Sequence, residues 1–345
     1  MKALILAGSK GVELLPLTAN VPKPVVHVGN IPFIFYQLDS LKRAGVKEVV
    51  LSLSYLPRRI KDILGDGANY GMVIRYAVET VPLGTAGALR NAADMLEQKV
   101  IVMNGDILTS IDLGKVIKEH QHKRAQVTLV TGRAANPSHF GVVNLDARGT
   151  VTDFTEKPRD RMLPRDQVNV GIYVFNAAVL DRIPADTHYT LERDLFPRLI
   201  ETGVPIHAFC TNDYWTDIGD PAGYLQANLD VIAGKVSLPK FFGLYEKQPV
   251  TAPANSRIDG TSLIDPSCMI KPGVDIENSV IGPNCRLEDG VMIRDSVLLQ
   301  GTRVKAGASL RYCIVGKHCV IGEGVSVSRG AVFGDKSTVT DYSTF

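Results

Sequence analysis

The sequence predicts a layered α/β domain with a mostly parallel sheet, followed by a parallel β-helix, and three observations carry that expectation. From Met1 to about Gly234, nearly continuous apolar runs alternate with helical patterns. After Pro239 the apolar residues recur every six positions, a beat that fits neither a helix nor a half-buried strand. At 345 residues the chain also exceeds what one hydrophobic core usually organises.

Ala3 to Ala7, Val49 to Leu53 and Val100 to Met103 are almost wholly apolar, as strands are when both faces of a parallel sheet are covered. Ile34, Leu38 and Leu41 repeat at helical spacing, and Asp112 stands as an N-cap before Val116 and Ile117. Gly141 to Leu145, Val151 to Phe154 and Val168 to Phe175 crowd together without helices between them. They predict a smaller β substructure laid over the main sheet. The first domain is therefore expected over 1–234 and a proline-bearing linker over 235–253, with the β-helix over 254–345.

In that last region the beat runs through Ile258, Ile264, Ile270 and Ile276, then Ile281, Leu287, Ile293 and Leu299. It continues through Val304, Leu310, Val315, Ile321, Val327, Phe333 and Val339. Short strands separated by tight corners produce such a period, each coil stacking on the one below. Small residues two before a beat, as at Cys319, Val325 and Ala331, suit the corners. Coils pair only with neighbours, so the β-helix is expected to mediate homo-oligomer formation.

Composition narrows the function classes. Basic and acidic residues number 38 and 36, with no basic block interleaved with aromatics, which argues against nucleic acid and a membrane surface as partners. The apolar start Met1 to Ala7 is too short for a signal peptide, and no segment approaches about 18 uninterrupted apolar residues, so a cytoplasmic location is expected. The five cysteines (Cys210, Cys268, Cys285, Cys313, Cys319) contain no Cys-x-x-Cys pair and are read as plain buried thiols.

The first strand enters Gly8-Ser9-Lys10-Gly11, a small-residue loop whose backbone N–H groups can approach phosphates but which matches neither dinucleotide nor Walker fingerprints. Further on, in order, stand Pro16-Leu17-Thr18, Pro22-Lys23-Pro24, Pro82-Leu83-Gly84-Thr85-Ala86-Gly87 and Asn104-Gly105-Asp106. Then come Phe140-Gly141-Val142-Val143, Glu156-Lys157-Pro158, Asn169-Val170-Gly171-Ile172-Tyr173 and Trp215-Thr216-Asp217-Ile218-Gly219. The series resembles the nucleotide-sugar pyrophosphorylases, most closely those that form GDP-mannose, over essentially the whole chain. The resemblance implies a Rossmann-like mixed-sheet nucleotidyltransferase domain and a left-handed β-helix.

It also implies transfer of a nucleotidyl group from a nucleoside triphosphate to a sugar 1-phosphate, with pyrophosphate leaving. One anion attacks another, so the protein must chiefly position groups and screen charge, which Mg2+ does with one or two carboxylates. By resemblance Asp106 and Asp217 hold that metal, and Lys23, fixed between two prolines, meets a phosphate. Leu6, Ala7, Gly8, Ser9, Gly11, Pro82, Gly84, Thr85 and Gly105 are the expected nucleotide-binding positions. Gly141, Glu156, Lys157 and Asn169 are the expected sugar-phosphate positions. The sequence departs from the family in its first loop, where Ser9, Val12 and Glu13 stand for the usual glycine, threonine and arginine. Glu13 replaces a cation beside the triphosphate, so a nucleotide-sugar-binding regulatory subunit is the alternative reading. A third, acyl transfer by the β-helix, has a single histidine there, His318, to support it.

Overall fold

The computed structural model describes residues 1–134, 136–158, 167–239 and 253–345. The chain forms two compact units that do not follow its order. Met1–Lys10 with Gln37–Trp215 make the first, and Gly11–Tyr36 with Thr216–Phe345 the second. Of the linker expected at 235–253, residues 240–252 lie outside the described residues.

The first unit is built on a nine-stranded mixed sheet. Strand Lys2–Leu6 lies parallel between Glu48–Leu53 and Lys99–Asn104, with Leu6 opposite both Ser52 and Asn104, so their C-terminal ends open together. Val73–Val78 extends the sheet beyond Glu48–Leu53. On the other side the sheet turns antiparallel, and here the sequence reading is corrected. Val168–Asn176 pairs directly with Lys99–Asn104 and with Val127–Gly132, and the hairpin Gly141–Leu145 with Val151–Glu156 follows at the edge. These strands continue the main sheet instead of lying over it, because Val168–Asn176 has ladder partners along both sides and is buried on both faces. The helices fall where the apolar spacing put them, over Ile34–Arg43 and Leu113–Lys123. The Asp112 side chain accepts from the Gly114 and Lys115 amides at 2.9 and 3.3 Å.

In the second unit residues 257–339 form a left-handed β-helix whose three faces are five-stranded parallel sheets. Three stacked columns fill its centre: Ile258, Ile276, Ile293, Leu310, Val327; Ile264, Ile281, Leu298, Val315, Phe333; and Ile270, Leu287, Val304, Ile321, Val339. Fourteen of the fifteen expected positions lie in them. The exception is Leu299, since the short corner of each coil precedes the second face and Leu298 is the residue in register with Ile281 and Val315. Asn278, Asp295 and Tyr312 turn that corner with φ of 45°, 46° and 47°.

The corners explain the cysteines. Ser262, Ser279, Ser296 and Cys313 stack at one corner, each of the last three donating its backbone N–H to the hydroxyl of the serine one coil before it. Cys268, Cys285, Thr302 and Cys319 stack at another, each donating to the carbonyl of a glycine or leucine on the next coil. Cys285, Cys313 and Cys319 are buried thiols as expected, whereas Cys268 is partly exposed and Cys210, at a strand end in the first unit, is exposed.

Candidate functional site

The first unit carries the positions expected from the sequence to meet the base, ribose and sugar. Past strand Lys2–Leu6, the Ala7 amide donates to Ser52 O and the Gly105 amide to Leu6 O, both at 2.9 Å. A Cβ on Gly105 would stand 2.5 Å from that same carbonyl, so only glycine permits the turn that presents Asp106. Gln37 fixes the strand end by donating to Asn104 O at 2.7 Å and Ile107 O at 3.3 Å.

Beside Gly8 lies a carboxylate the sequence reading did not name. Glu79 is buried, with Oε1 accepting from Ser52 Oγ at 2.7 Å and Oε2 from the Leu83 amide at 2.9 Å. A Cβ on Gly8 would come within 3.3 Å of its Oε1. Pro82 is exposed, and Gly84, at φ +74°, starts helix Gly84–Asn91 where a Cβ would meet Tyr189 O at 2.7 Å. The Thr85 hydroxyl is occupied by the protein, donating to Glu192 Oε2 and accepting from the Leu191 amide, each at 2.8 Å.

Glu192 joins Thr85 to Tyr173 and, through it, to Asn169. The Tyr173 hydroxyl donates to its Oε1 at 3.4 Å, and Asn169 Nδ2 donates to the Tyr173 oxygen at 2.8 Å. Asn169 Oδ1 in turn accepts from the Gly171 amide at 2.9 Å, so its side chain is held from both ends. Burial pushes the carboxyls of Glu156 and Glu192 above the ordinary range, with Glu192 adding to the first and Asp106 to the second. Gly141 lies beneath Glu156, where a Cβ would fall 2.8 Å from Oε2, and Lys157 follows at φ +46°. Neither Glu79 nor Glu192 had a local signal, since a lone glutamate in a loop or helix start reads as solvated.

The second unit carries the residues of the expected phosphate loop from Gly11 onward. Gly11, at φ +62°, lies against Lys23 and Thr18, and Thr18 Oγ1 donates to its carbonyl at 2.6 Å. Val12–Leu14 form a single 3-10 turn, Leu14 buried and Glu13 exposed on it. Lys23 opens the next turn, its side chain only 7% exposed, with Nζ 3.9 Å from Asp217 Oδ1. Asp217 is cradled by glycines. A Cβ on Gly219 would fall 2.9 Å from Oδ1, and one on Gly223 would fall 2.4 Å from the Asp217 carbonyl. Of the sequence-derived pairs, the structure thus brings Lys23 to Asp217. Asp106 belongs to the first unit and Asp217 to the second.

Among the described residues no three His, Cys, Asp or Glu side chains converge as a metal cage. Magnesium needs none, since it usually takes one or two carboxylates and completes its shell with phosphate oxygens and water. Nor is any helix among the described residues long and apolar enough to cross a membrane.

The nucleotidyl transferase family profile matches residues 2–234. The chain belongs to that family. Residues 242–345 match the left-handed β-helix domain of the EIF2B epsilon subunit. The chain is 35% identical over 285 residues to a mannose-1-phosphate guanylyltransferase of Mycobacterium tuberculosis, covering 81% of this chain and 79% of the relative. A mannose-1-phosphate guanyltransferase of Schizosaccharomyces pombe is 36% identical over 78% of this chain and 73% of its own. A UTP–glucose-1-phosphate uridylyltransferase of Synechocystis is 31% identical over 81% and 82% respectively. Among solved structures, HddC from Yersinia pseudotuberculosis superposes with a TM-score of 0.58 at 28% identity, over 66% of this chain and 97% of that one.

Proposed function

We propose that the chain transfers GMP from GTP to mannose 1-phosphate, releasing pyrophosphate, with Mg2+ held by Asp106 and Asp217. The observation that carries the reading is the buried Lys23 ammonium beside Asp217, a cation fixed by two prolines next to the carboxylate expected to hold the metal. A lysine is buried at a desolvation cost, so its retention here suits a group that meets a charged substrate. With 1–234 as the catalytic domain, 235–253 as linker and 254–345 as the assembly domain, the reading also places the protein in the cytoplasm as a homo-oligomer.

The sugar phosphate oxygen attacks the α-phosphorus as the bond to pyrophosphate breaks, and no covalent enzyme intermediate is needed. Backbone N–H groups of Gly8 to Gly11 line the triphosphate, Lys23 meets one phosphate, and Lys157 meets the sugar phosphate. Glu156 and Asn169 bind sugar hydroxyls, and the pinned Asn169 amide loses little freedom on binding. When bound, Mg2+ supplies charge screening between the two anions. Glu79 favours guanine, because its carboxylate only accepts and guanine offers two adjacent donors, N1–H and the 2-amino group. Uracil and thymine offer one donor between two carbonyls that a carboxylate repels.

The alternative, a nucleotide-sugar-binding regulatory subunit, draws on Glu13, which adds a negative charge to the exposed turn of the phosphate loop. Pyrophosphate release across four nucleoside triphosphates and a set of sugar 1-phosphates tests the proposal. It expects GTP with mannose 1-phosphate to exceed every other pair by at least about tenfold in kcat/KM. Equal use of UTP would refute the Glu79 argument, and no release from any pair would favour the regulator.

A further inference from the structure

We propose that the β-helix positions the Lys23 segment, with Asn30 as the positioning residue that connects the two. The inference rests on the reading of Lys23 as a phosphate-binding group. It starts from a two-residue hairpin, His27–Val28 with Ile31–Pro32, whose turn residues Gly29 and Asn30 have φ of +55° and +64°. Both values suit a type I′ turn, which asparagine tolerates. Asn30 is 4% exposed, and its Nδ2 donates at 2.9 Å to the Ile281 carbonyl of the β-helix, 251 residues away. That carbonyl also accepts the Asp265 amide of its own sheet, so Asn30 adds to the ladder without displacing it.

The turn is held from the other side as well. The Gly29 amide donates to Asn228 Oδ1 at 2.9 Å, Asn228 Nδ2 donates to Tyr224 O, and the Tyr224 hydroxyl donates to His27 O. The hairpin then transmits this position backward, since the Phe33 amide donates to Val26 O at 2.8 Å and the Val26 amide to Lys23 O at 3.2 Å. On the other side of Lys23, Pro16 packs on a β-helix corner at Gly334, where a Cβ would stand 3.0 Å from the proline ring. Between these points Leu17, Val21, Val26 and His27 enclose a small hollow with Leu299, Lys317 and Asp335 of the β-helix. The segment that carries Lys23 is therefore fastened to the β-helix before and after the lysine. Assembly is then not the only task of the β-helix.

The test uses the full chain and two variants. Asn30→Gly keeps the positive φ and deletes the donor, and Asn30→Asp keeps the shape but turns an acceptor toward the Ile281 carbonyl. Hydrogen exchange is followed over residues 20–33, and pyrophosphate release gives separate KM values for GTP and mannose 1-phosphate. Loss of one buried hydrogen bond predicts exchange about fivefold faster in that segment. KM for GTP should rise by a similar factor while KM for mannose 1-phosphate stays constant, a split that general loosening would not produce. Asn30→Asp should exceed Asn30→Gly in both readouts. Unchanged exchange over 20–33 in both variants overturns the positioning role, as does an equal rise in both KM values. If the parent releases no pyrophosphate from any pair, the transfer reading fails, and exchange over 20–33 alone decides whether Asn30 holds the segment.

Discussion

The β-helix and the mixed-sheet unit are built on different ranges of information. In the β-helix each position repeats one coil later, so a column such as Ile276, Ile293 and Leu310 is visible as a spacing along the chain. In the mixed sheet the strands are visible, but what fastens the site is not, because Thr85 and Glu192 meet across 107 residues. The same holds within the second unit wherever a contact leaves the repeat, as where Asn30 meets Ile281 across 251 residues. Periodic contacts are legible in one sequence, and aperiodic long-range contacts are not.

The largest expected effect lies in the aperiodic site. Asp106→Asn should lower pyrophosphate release on the order of 10³-fold, because a metal carboxylate supplies several kcal/mol of charge stabilisation, while leaving the melting temperature nearly unchanged. Asp217→Asn should match it in activity but also cost roughly 1–2 kcal/mol of stability, since it strips the carboxylate from beside the buried Lys23. Full metal-dependent activity in either variant would remove that residue from the metal site.

Next comes the periodic core, where Leu298→Ala should cost about 2–5 kcal/mol, because Leu298 is fully buried in a column with no room to collapse. Denaturant midpoints read this directly. A cost below about 1 kcal/mol would mean that the stack tolerates a missing rung.

His27 gives a smaller, pH-dependent effect. Burial, reinforced by the Lys317 charge, pulls its imidazole down from 6.5 to about 4 in the folded chain. The folded state therefore binds fewer protons than the unfolded one below pH 6.5. The stability His27 contributes is complete above that value and is lost as pH falls toward 4. Between pH 7 and 5 the loss is about 2 kcal/mol, and His27→Asn should remove that part of the slope in denaturant titrations. An unaltered slope would show that His27 is not kept neutral by its surroundings.

The smallest shift concerns Glu13. Replacing it with arginine, together with Val12→Thr, restores a cation and a hydroxyl to the loop, and a gain of about tenfold in turnover, near 1.4 kcal/mol, is expected. A double variant that loses activity would show that this loop works as it stands.

How far the sequence could be read follows from the same contrast. Fourteen of fifteen stacking positions were visible, and the miss at Leu299 arose because two adjacent leucines satisfy the beat equally and only pairing with Ile281 selects Leu298. Asp112 was legible as a cap because its partners are two and three residues away. The antiparallel half of the sheet was misplaced because hairpin strands look alike whether they extend a sheet or cover it. Glu79 and Glu192 were invisible because their meaning comes from Ser52, Thr85 and Tyr173, which stand 27, 107 and 19 residues away, and the nearby partner Leu83 contributes a backbone amide that carries no side-chain signature.

Catalysis is tested most directly by single-turnover pyrophosphate release by the full chain with GTP, mannose 1-phosphate and Mg2+. Stoichiometric release is expected that stops on chelation of the metal and is slowed on the order of 10³-fold in Asp106→Asn. Tight binding of GDP-mannose with no pyrophosphate released at any metal concentration would contradict it.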